Sequence, residues 1–473
     1  MKEGYVPQNQ RKKILLMSDD IRLPSGVGNV GKDIVINTAH RYNWVNLGGA
    51  MRHPDKGKRF DVSIDTNKEA GIEDSSVLIY PTDGYGDPAL LRNIISIEKP
   101  DAIFLITDPR YWVWLFQMEN ELRKKLPIIY LNIWDDYPAP AYNKSFYESC
   151  DALLGISKQT VNINKLVLGE DSQYKVIDYV PHGINTKYYF PLEKDNQQLV
   201  EFKKQLFGNR QIDFALLFNS RNIRRKSIPD TLLAWKYFID KLPKEKADKC
   251  ALILHTQPVD DHGTDLIAVK DYIFGLDYNN VIFSHNRIPV DILNLLYNSC
   301  DAQILLSSNE GWGLSLTEAL LVGKPIIANV TGGMQDQMRF EDEDGNWFTP
   351  DADVPSNHTK HYTKHGKWAY PVFPSSRSLQ GSPQTPYIWD DRCNPEDAAE
   401  QIMNVYLDEE REQKGLAGRE WALGEAGFTA EVMGERVIKN VDKLFETWKP
   451  QPHFHLINAN EFEPSVLNHK LLY

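Results

Sequence analysis

The chain has 473 residues, 42% hydrophobic, 25% charged and 11% aromatic, with a formal net charge of −12. That length exceeds what one hydrophobic core supports, so two domains are expected, and the composition is that of a folded chain rather than a disordered or fibrous one. The acidic balance argues against stable nucleic-acid binding or a broad footprint on anionic lipid, although a small basic pocket is compatible with it.

The N-terminus, MKEGYVPQNQRKK, is polar, and the apolar run at 14–17 is too short for a signal peptide or a membrane span. The expectation is a soluble, cytoplasmic protein, with peripheral membrane contact left open and the sequons at Asn143, Asn329 and Asn357 read as chance matches. Cys150, Cys250, Cys300 and Cys393 form no CxxC pair, which argues against a disulfide framework or a zinc site.

In chain order, 13–18 (KILLMS) reads as a strand, followed by a glycine-bearing loop and a helix over about 30–40. Strands are predicted at 44–47, 76–80, 102–106, 128–132 and 152–156, with a helix at 88–98. Near-continuous apolar runs imply strands buried on both faces, hence helices on both sides of a parallel sheet. The polar stretch PLEKDNQQ at 191–198 suits a domain boundary. A second α/β series follows, with strands at 214–219, 251–255, 281–284, 302–306 and 325–329 and helices at 228–240, 291–298 and 316–321. Residues 340–392 break this rhythm and read as a long functional or mobile loop. Helices at 395–407 and 429–448 precede a weakly patterned tail at 449–473.

Three segments carry chemistry. SSNEGWGLSLTEALLVG at 307–323 places Glu310 and Glu318 on either side of a helix start. Gly311 and Gly313 there allow close backbone approach, and a helix N-terminus attracts phosphate. A capped helix with two solvated glutamates is the plainer alternative. NSRNIRRKS at 219–227 follows a strand, where Arg221 and Lys226 could converge on a diphosphate. A solvated basic turn and a nuclear-localisation-like patch are the alternatives there. PSGVGNVG at 24–31 has glycines at Gly26, Gly28 and Gly31, but no acidic residue closes a second strand as a nicotinamide site requires.

Taken in order, these blocks resemble the GT-B glycosyltransferases of family 4, the glycosyl transferases group 1 set. EGWGLSLTEALLVGKPIIA is similar to that family's E-x7-E block, and SRNIRRKS to its G-R-x-x-x-x-K-G block. VPHGINTKYYFP at 180–191 resembles its interdomain signature, and VTGGMQDQM at 330–338 the glycine pair after the E-x7-E helix. The resemblance implies an α/β, GT-B architecture of two Rossmann-like doubly wound domains facing a cleft. The domains implied are an acceptor domain over 1–192 and a donor domain over 193–430 with an insertion at about 340–392. A C-terminal helix and tail over 431–473 would cross back to the first domain.

The activity implied is retaining, metal-independent transfer of a sugar from a nucleotide sugar to a hydroxyl acceptor, with no cofactor and a UDP- or GDP-sugar as donor. By position, Glu310 would hold the transferred sugar and Glu318 the ribose, while Arg221 and Lys226 would offset charge on the diphosphate. Gly311, Trp312, Gly313 and Leu314 would complete the donor site, and Gly28 would face the phosphates from the first domain. The family often has His-Asp at the end of the strand matching IIYLN at 128–132; here the stretch is NIWDDYP, so Asp135 or Asp136 would supply that polar group, unless both cap the following turn.

Other readings stay open. Base contacts would come from backbone near 281–287. A modified nucleic-acid base as acceptor, or a nucleotide-sugar 2-epimerase on the same scaffold, are the functional alternatives. Arg110, Tyr111, Trp112 and Trp114 are either a polymer track or a buried helix face. Asp342-Glu343-Asp344 resembles a metal-gripping DxD but lies in a polar loop, and His358, His361 and His365 read as solvated. The insertion, rich in Trp347, Trp368, Tyr370, Tyr387 and Trp389, is expected to border the donor cleft or to form a surface flap. The base, the sugar, the acceptor and the oligomeric state are not readable.

Overall fold

The computed structural model describes residues 2–285 and 288–451. The first half builds an eight-stranded sheet from β1 (Lys12–Asp19), β2 (Tyr42–Ala50), β3 (Phe60–Asp61), β4 (Val77–Asp83), β5 (Ala102–Ile106), β6 (Ile128–Asn132), β7 (Ala152–Gly155) and β8 (Val176–Tyr179). Its order is β3-β4-β2-β1-β5-β6-β7-β8, parallel throughout except for the short edge strand β3. Ile14, Leu15, Leu16 and Met17 of β1 are wholly buried, which is why that run reads as continuously apolar.

The second half builds a six-stranded parallel sheet from β9 (Phe214–Asn219), β10 (Cys250–His255), β11 (Val281–Phe283), β12 (Ala302–Leu305), β13 (Ile326–Asn329) and β14 (Ala369–Val372), in the order β11-β10-β9-β12-β13-β14. A hairpin, β15 (Ser376–Ser382) and β16 (Thr385–Arg392), follows. The stretch 340–392 is therefore not the structureless loop its composition suggests. It contributes the sixth strand of the main sheet and a hairpin, whose polar strands lack the apolar run that marks a buried strand. The short VIDY strand β8 is likewise absent from the sequence pattern.

Local chemistry sets the helix starts. The Ser25 hydroxyl accepts from Gly28 N at 3.0 Å to cap Gly26–Thr38, and Ser157 and Thr429 cap Lys158–Leu168 and Ala430–Thr447 in the same way. The last of these helices returns to the first half. Tyr42 Oη donates to Asp442 at 2.6 Å, Arg41 pairs with Asp442 at 2.8 Å, and a side chain at Gly434 would strike Asn37 Cβ at 2.7 Å. Residues 452–473 of the tail lie outside the described residues. Cys150, Cys250, Cys300 and Cys393 are buried and unpaired as disulfides. Among the described residues, no helix is long and apolar enough to cross a membrane.

In each sheet the chain builds outward from a central strand on one flank and then crosses over to build on the other. β1 has β2 on one flank and β5 on the other; β9 has β10 on one and β12 on the other. Crevices open at the carboxyl ends of strands at such reversals, because the crossover helices leave on opposite faces. The two crevices face each other.

Candidate functional site

A cleft of about 840 Å³ joins them. Its first-half wall is Pro24, Gly26, Val27 and Val30 after β1, Ile106 at the end of β5, Ile133 and Asp135 after β6, and Ile156 after β7. The opposing wall comes from the ends of β9 and β12: Asn219, Ser220, Arg221, Arg225 and Lys226, then Glu310 through Ser315, and Glu318.

Glu310 is the centre of charge. Its Oε2 pairs with Lys226 Nζ, lies 3.0 Å from Arg225 Nη1 and accepts from the Ser307 hydroxyl at 3.1 Å. Its side chain is only 8% exposed and that of Lys226 only 9%, so this contact is shielded from water. Burial pushes the carboxyl upward, but the Arg225 and Lys226 charges outweigh it and hold Glu310 at about 2. Burial also lowers the Lys226 ammonium, only partly opposed by Glu310. Arg225 reaches further: its Nη1 donates to Asn309 O at 2.8 Å and its Nε lies 3.9 Å from Asp135 Oδ2. Burial raises the Asp135 carboxyl, with the Arg225 charge opposing.

Arg225 was not singled out by the sequence pattern, yet it bridges the walls. Arg221, which was, lines the outer cleft: its side chain is 60% exposed and tied to Asp260 at 3.0 Å. The tandem RRK was the available signal, since a three-residue 3-10 turn over Arg224–Lys226 directs neighbouring side chains differently.

Glu318 lies in the first turns of the helix Leu314–Leu321. Tyr297 Oη donates to Oε2 at 2.5 Å and Tyr189 Oη to Oε1 at 3.0 Å. Burial raises this carboxyl, with the two phenols opposing. Among the described residues no side chain caps this helix; Gly313 holds the N-cap position at φ 86°. The Trp312 indole turns into the core, donating to Thr317 Oγ1 at 2.9 Å and packing 4.9 Å from Phe428, so it anchors the helix start rather than offering a stacking face.

The loop around Glu310 is shaped by backbone contact. A Cβ on Gly311 would lie 2.8 Å from Ile133 O, and one on Gly332 (φ 55°) would lie 1.9 Å from Glu310 O. Gly332→Ala is therefore expected to lower the thermal unfolding midpoint, by strain of about 1–3 kcal/mol; an unchanged midpoint would show that the loop yields.

Several expected positions fall elsewhere. Asp136 turns away from the cleft. It is wholly buried, accepting from Tyr137 N at 2.7 Å, Gln159 Nε2 at 3.1 Å and Asn357 Nδ2 at 3.1 Å. Its other oxygen is 3.2 Å from the Thr331 hydroxyl, which also meets Asp391 at 2.8 Å. Burial and the nearby Asp391 charge push Asp136 well above the usual carboxylate range. Gly28 does not line the cleft; a Cβ there would strike Leu23 O at 2.5 Å, so it serves the turn, and Gly26 is the glycine facing Leu314.

None of the described insertion residues lines the cleft. Trp368 stacks on Trp421 and donates to Gln337 O, Trp347 covers Lys158, and Tyr387 O and Trp389 N bond to Tyr142 and Tyr137. The insertion therefore packs within the second half at Trp368 and against the first half at Trp347, Tyr387 and Trp389. His358 is likewise buried, among Phe340, Phe348 and Tyr362, rather than solvated. Asp342 caps its own turn, accepting from Asp344 N and Asn346 N. Trp112 is wholly buried and Arg110 is paired with Asp108, so 110–114 is not a continuous track. Of the stretch expected to meet the base, Ser284 and His285 line the cleft, together with His255 and Thr256, while Asn286 and Arg287 lie outside the described residues. His182, in the connector between the halves, also lines the cleft; burial lowers it to about 4, so its ring is neutral, and its Nδ1 has no hydrogen-bond partner among the described residues. Among the described residues no group of three or more His, Cys, Asp or Glu side chains is placed to hold a metal ion.

Residues 241–356 match the family model described as glycosyl transferases group 1. An uncharacterized glycosyltransferase of Methanocaldococcus jannaschii is 24% identical over 208 residues, 44% of this chain and 48% of that protein. Mannosylfructose-phosphate synthase of Agrobacterium fabrum is 20% identical over 265 residues, 50% of this chain and 56% of that protein. The chain thus spans about half the length of these curated relatives. Among solved structures, Anabaena HepE in complex with UDP and glucose superposes with a TM-score of 0.61 at 14% identity, covering 92% of this chain and 100% of that one. Sucrose-phosphate synthase of Thermosynechococcus elongatus gives a TM-score of 0.63 at 15% identity, with 92% and 100% covered. The chain has the GT-B fold of glycosyltransferases, and its segment 241–356 carries the glycosyl transferases group 1 pattern.

Proposed function

We propose that the chain is a retaining, metal-independent glycosyltransferase that moves a sugar from a nucleoside-diphosphate sugar to a hydroxyl acceptor. The observation that carries this reading is the convergence of Glu310, Lys226, Arg225 and Glu318 on one wall with Asp135 opposite, at both topological switch points.

In this reading the diphosphate lies against Lys226 and Arg225, with Arg221 at the outer edge, and both cations exchange Glu310 for phosphate oxygens. Glu310, so released, accepts from hydroxyls of the transferred sugar, and Glu318 accepts from the ribose. The bond from the anomeric carbon to the β-phosphate oxygen breaks as the acceptor oxygen bonds to that carbon on the same face. The acceptor proton passes to the departing phosphate, and the two cations offset the charge developing there. Preorganised charges of this kind are worth about 3–4 kcal/mol each when removed singly. Positive charge from side chains makes a divalent ion unnecessary, so chelation is expected to leave turnover unchanged.

Support comes from the group 1 match over residues that include both glutamates, and from fold neighbours crystallised with UDP, glucose or UDP-glucose. The test is incubation with UDP-, GDP-, ADP- and CDP-sugars, with and without acceptors. Glycosylated product formed only with acceptor supports the reading; an epimerised nucleotide sugar formed without acceptor would replace it with a 2-epimerase. For Glu318→Gln, the loss of a charged acceptor is expected to weaken nucleotide binding by roughly 10- to 100-fold, read by calorimetry.

A further inference from the structure

The wall opposite the proposed donor site differs from the donor side in kind. Pro24, Val27, Val30, Ile106, Ile133 and Ile156 line it, and among the described residues its ionisable side chains are Asp135 and, from the connector, His182, whose ring burial keeps neutral. Every Lys and Arg among the described cleft-lining residues, namely Arg221, Arg225 and Lys226, belongs to the second half. The arginines in the loops that carry this wall are already neutralised: Arg22 pairs with Asp20 at 2.7 Å, and Arg110 with Asp108 at 2.6 Å. Asp20 also takes His53 at 3.0 Å, and Asp19, at the end of β1, accepts from Tyr85 at 2.7 Å.

Val27 and Ile133 are half-buried rather than sealed, so part of their apolar surface faces the cleft. Apolar surface in a cleft gains free energy when a ligand covers it. A phosphate brought to the same wall would meet aliphatic side chains and a carboxylate, with no unpaired cation among the described residues to receive it; burying such an unpaired charge is strongly unfavourable.

We infer that the acceptor is an uncharged hydroxyl compound carrying an apolar portion beside that hydroxyl, and not a phosphorylated sugar. This rests on the donor-site reading, which fixes which wall is left for the acceptor. It also separates the chain from the proteins it is similar to whose names specify phosphate products, mannosylfructose-phosphate synthase and sucrose-phosphate synthase. The apolar portion lies along Val27 and Ile133, and the hydroxyl is directed toward Asp135, the polar group on that wall.

The experiment is calorimetric titration of the full chain, first with a nucleoside diphosphate and then, at saturation, with octyl β-glucoside, methyl β-glucoside and glucose 6-phosphate. Octyl β-glucoside is expected to bind at least tenfold more tightly than the methyl compound, and glucose 6-phosphate more weakly than either. Ile133→Thr is expected to weaken the octyl compound by about tenfold, as removal of part of one buried aliphatic side chain does, with a smaller change for the methyl compound. Tighter binding of glucose 6-phosphate, equal binding of the two glucosides, no binding of the octyl compound, or an unaltered octyl affinity in Ile133→Thr would each overturn the inference. Failure of every nucleoside diphosphate to bind at the first step would instead refute the donor-site reading.

Discussion

Replacing Glu310 by glutamine is expected to lower sugar transfer by roughly 10²–10³-fold while nucleoside diphosphate binding persists, because the charge removed acts on the sugar and not on the phosphates. Two further consequences follow from its surroundings. Lys226 and Arg225 both face this carboxylate, so its loss leaves buried positive charge uncompensated, a change that typically costs about 3–5 kcal/mol. The variant is therefore expected to unfold at lower temperature, and added nucleoside diphosphate should restore much of the difference by supplying the missing negative charge.

The second consequence concerns pH. The folded-state value of about 2 lies below the ordinary 4.5, so the ionised form is the one the fold favours. The stabilisation is fully present above the unfolded value and is lost as pH falls from about 4.5 through about 2, a contribution on the order of 3 kcal/mol from this group. Thermal unfolding of the native chain against pH should show a steeper acid limb than Glu310→Gln. Equal slopes would mean that Glu310 is not held by these cations in solution.

Lys226→Met is expected to fail differently. Removing a charge-assisted phosphate contact weakens donor binding by about 10- to 100-fold, and the same contact is needed as the leaving group gathers charge, so kcat falls as well as affinity. The ammonium is already disfavoured by burial, and Glu310 retains Arg225, so the midpoint of unfolding should move less than in Glu310→Gln. Arg225→Ala should resemble Lys226→Met, whereas Arg221→Ala should have a smaller effect, since Arg221 is exposed and committed to Asp260. If Arg221→Ala proved the more damaging of the two, the placement of the diphosphate would need to shift outward along the cleft.

Much of the architecture was legible because both sheets are parallel and buried. Strands such as AIFLI at 102–106 and FALLFN at 214–219 advertise themselves as unbroken apolar runs. β14 to β16 were not legible: AYPV is largely buried but only four residues long and interrupted by a proline, while SRSLQGS and TPYIWDDR are polar and partly exposed and find their place only through tertiary pairing.

The site divides along the same line. Glu310, Gly311, Gly313 and Glu318 are close in sequence around a helix start, so spacing alone grouped them, and Lys226 reaches them from the neighbouring strand end. Which of Asp135 and Asp136 faces the cleft depends on the backbone after β6, where successive side chains diverge; the pattern could not choose between them. The role of Arg225 depends on a 3-10 turn and on Asp135 across the cleft, neither visible in one dimension. The aromatic richness of 340–392 suggested a ligand surface, but Trp368 packs on Trp421 within the second half, and Trp347 and Tyr387 pack against the first.

One cleft is expected to grip a pyrophosphate-linked sugar between two lobes. Calorimetric titration of the native chain with UDP-, GDP-, ADP- and CDP-glucose tests it most directly. Saturable binding of at least one of them, with one site per chain, is expected, and at least tenfold weaker binding in Lys226→Met. Absence of binding by all four nucleotide sugars, or equal affinity in Lys226→Met, would contradict it.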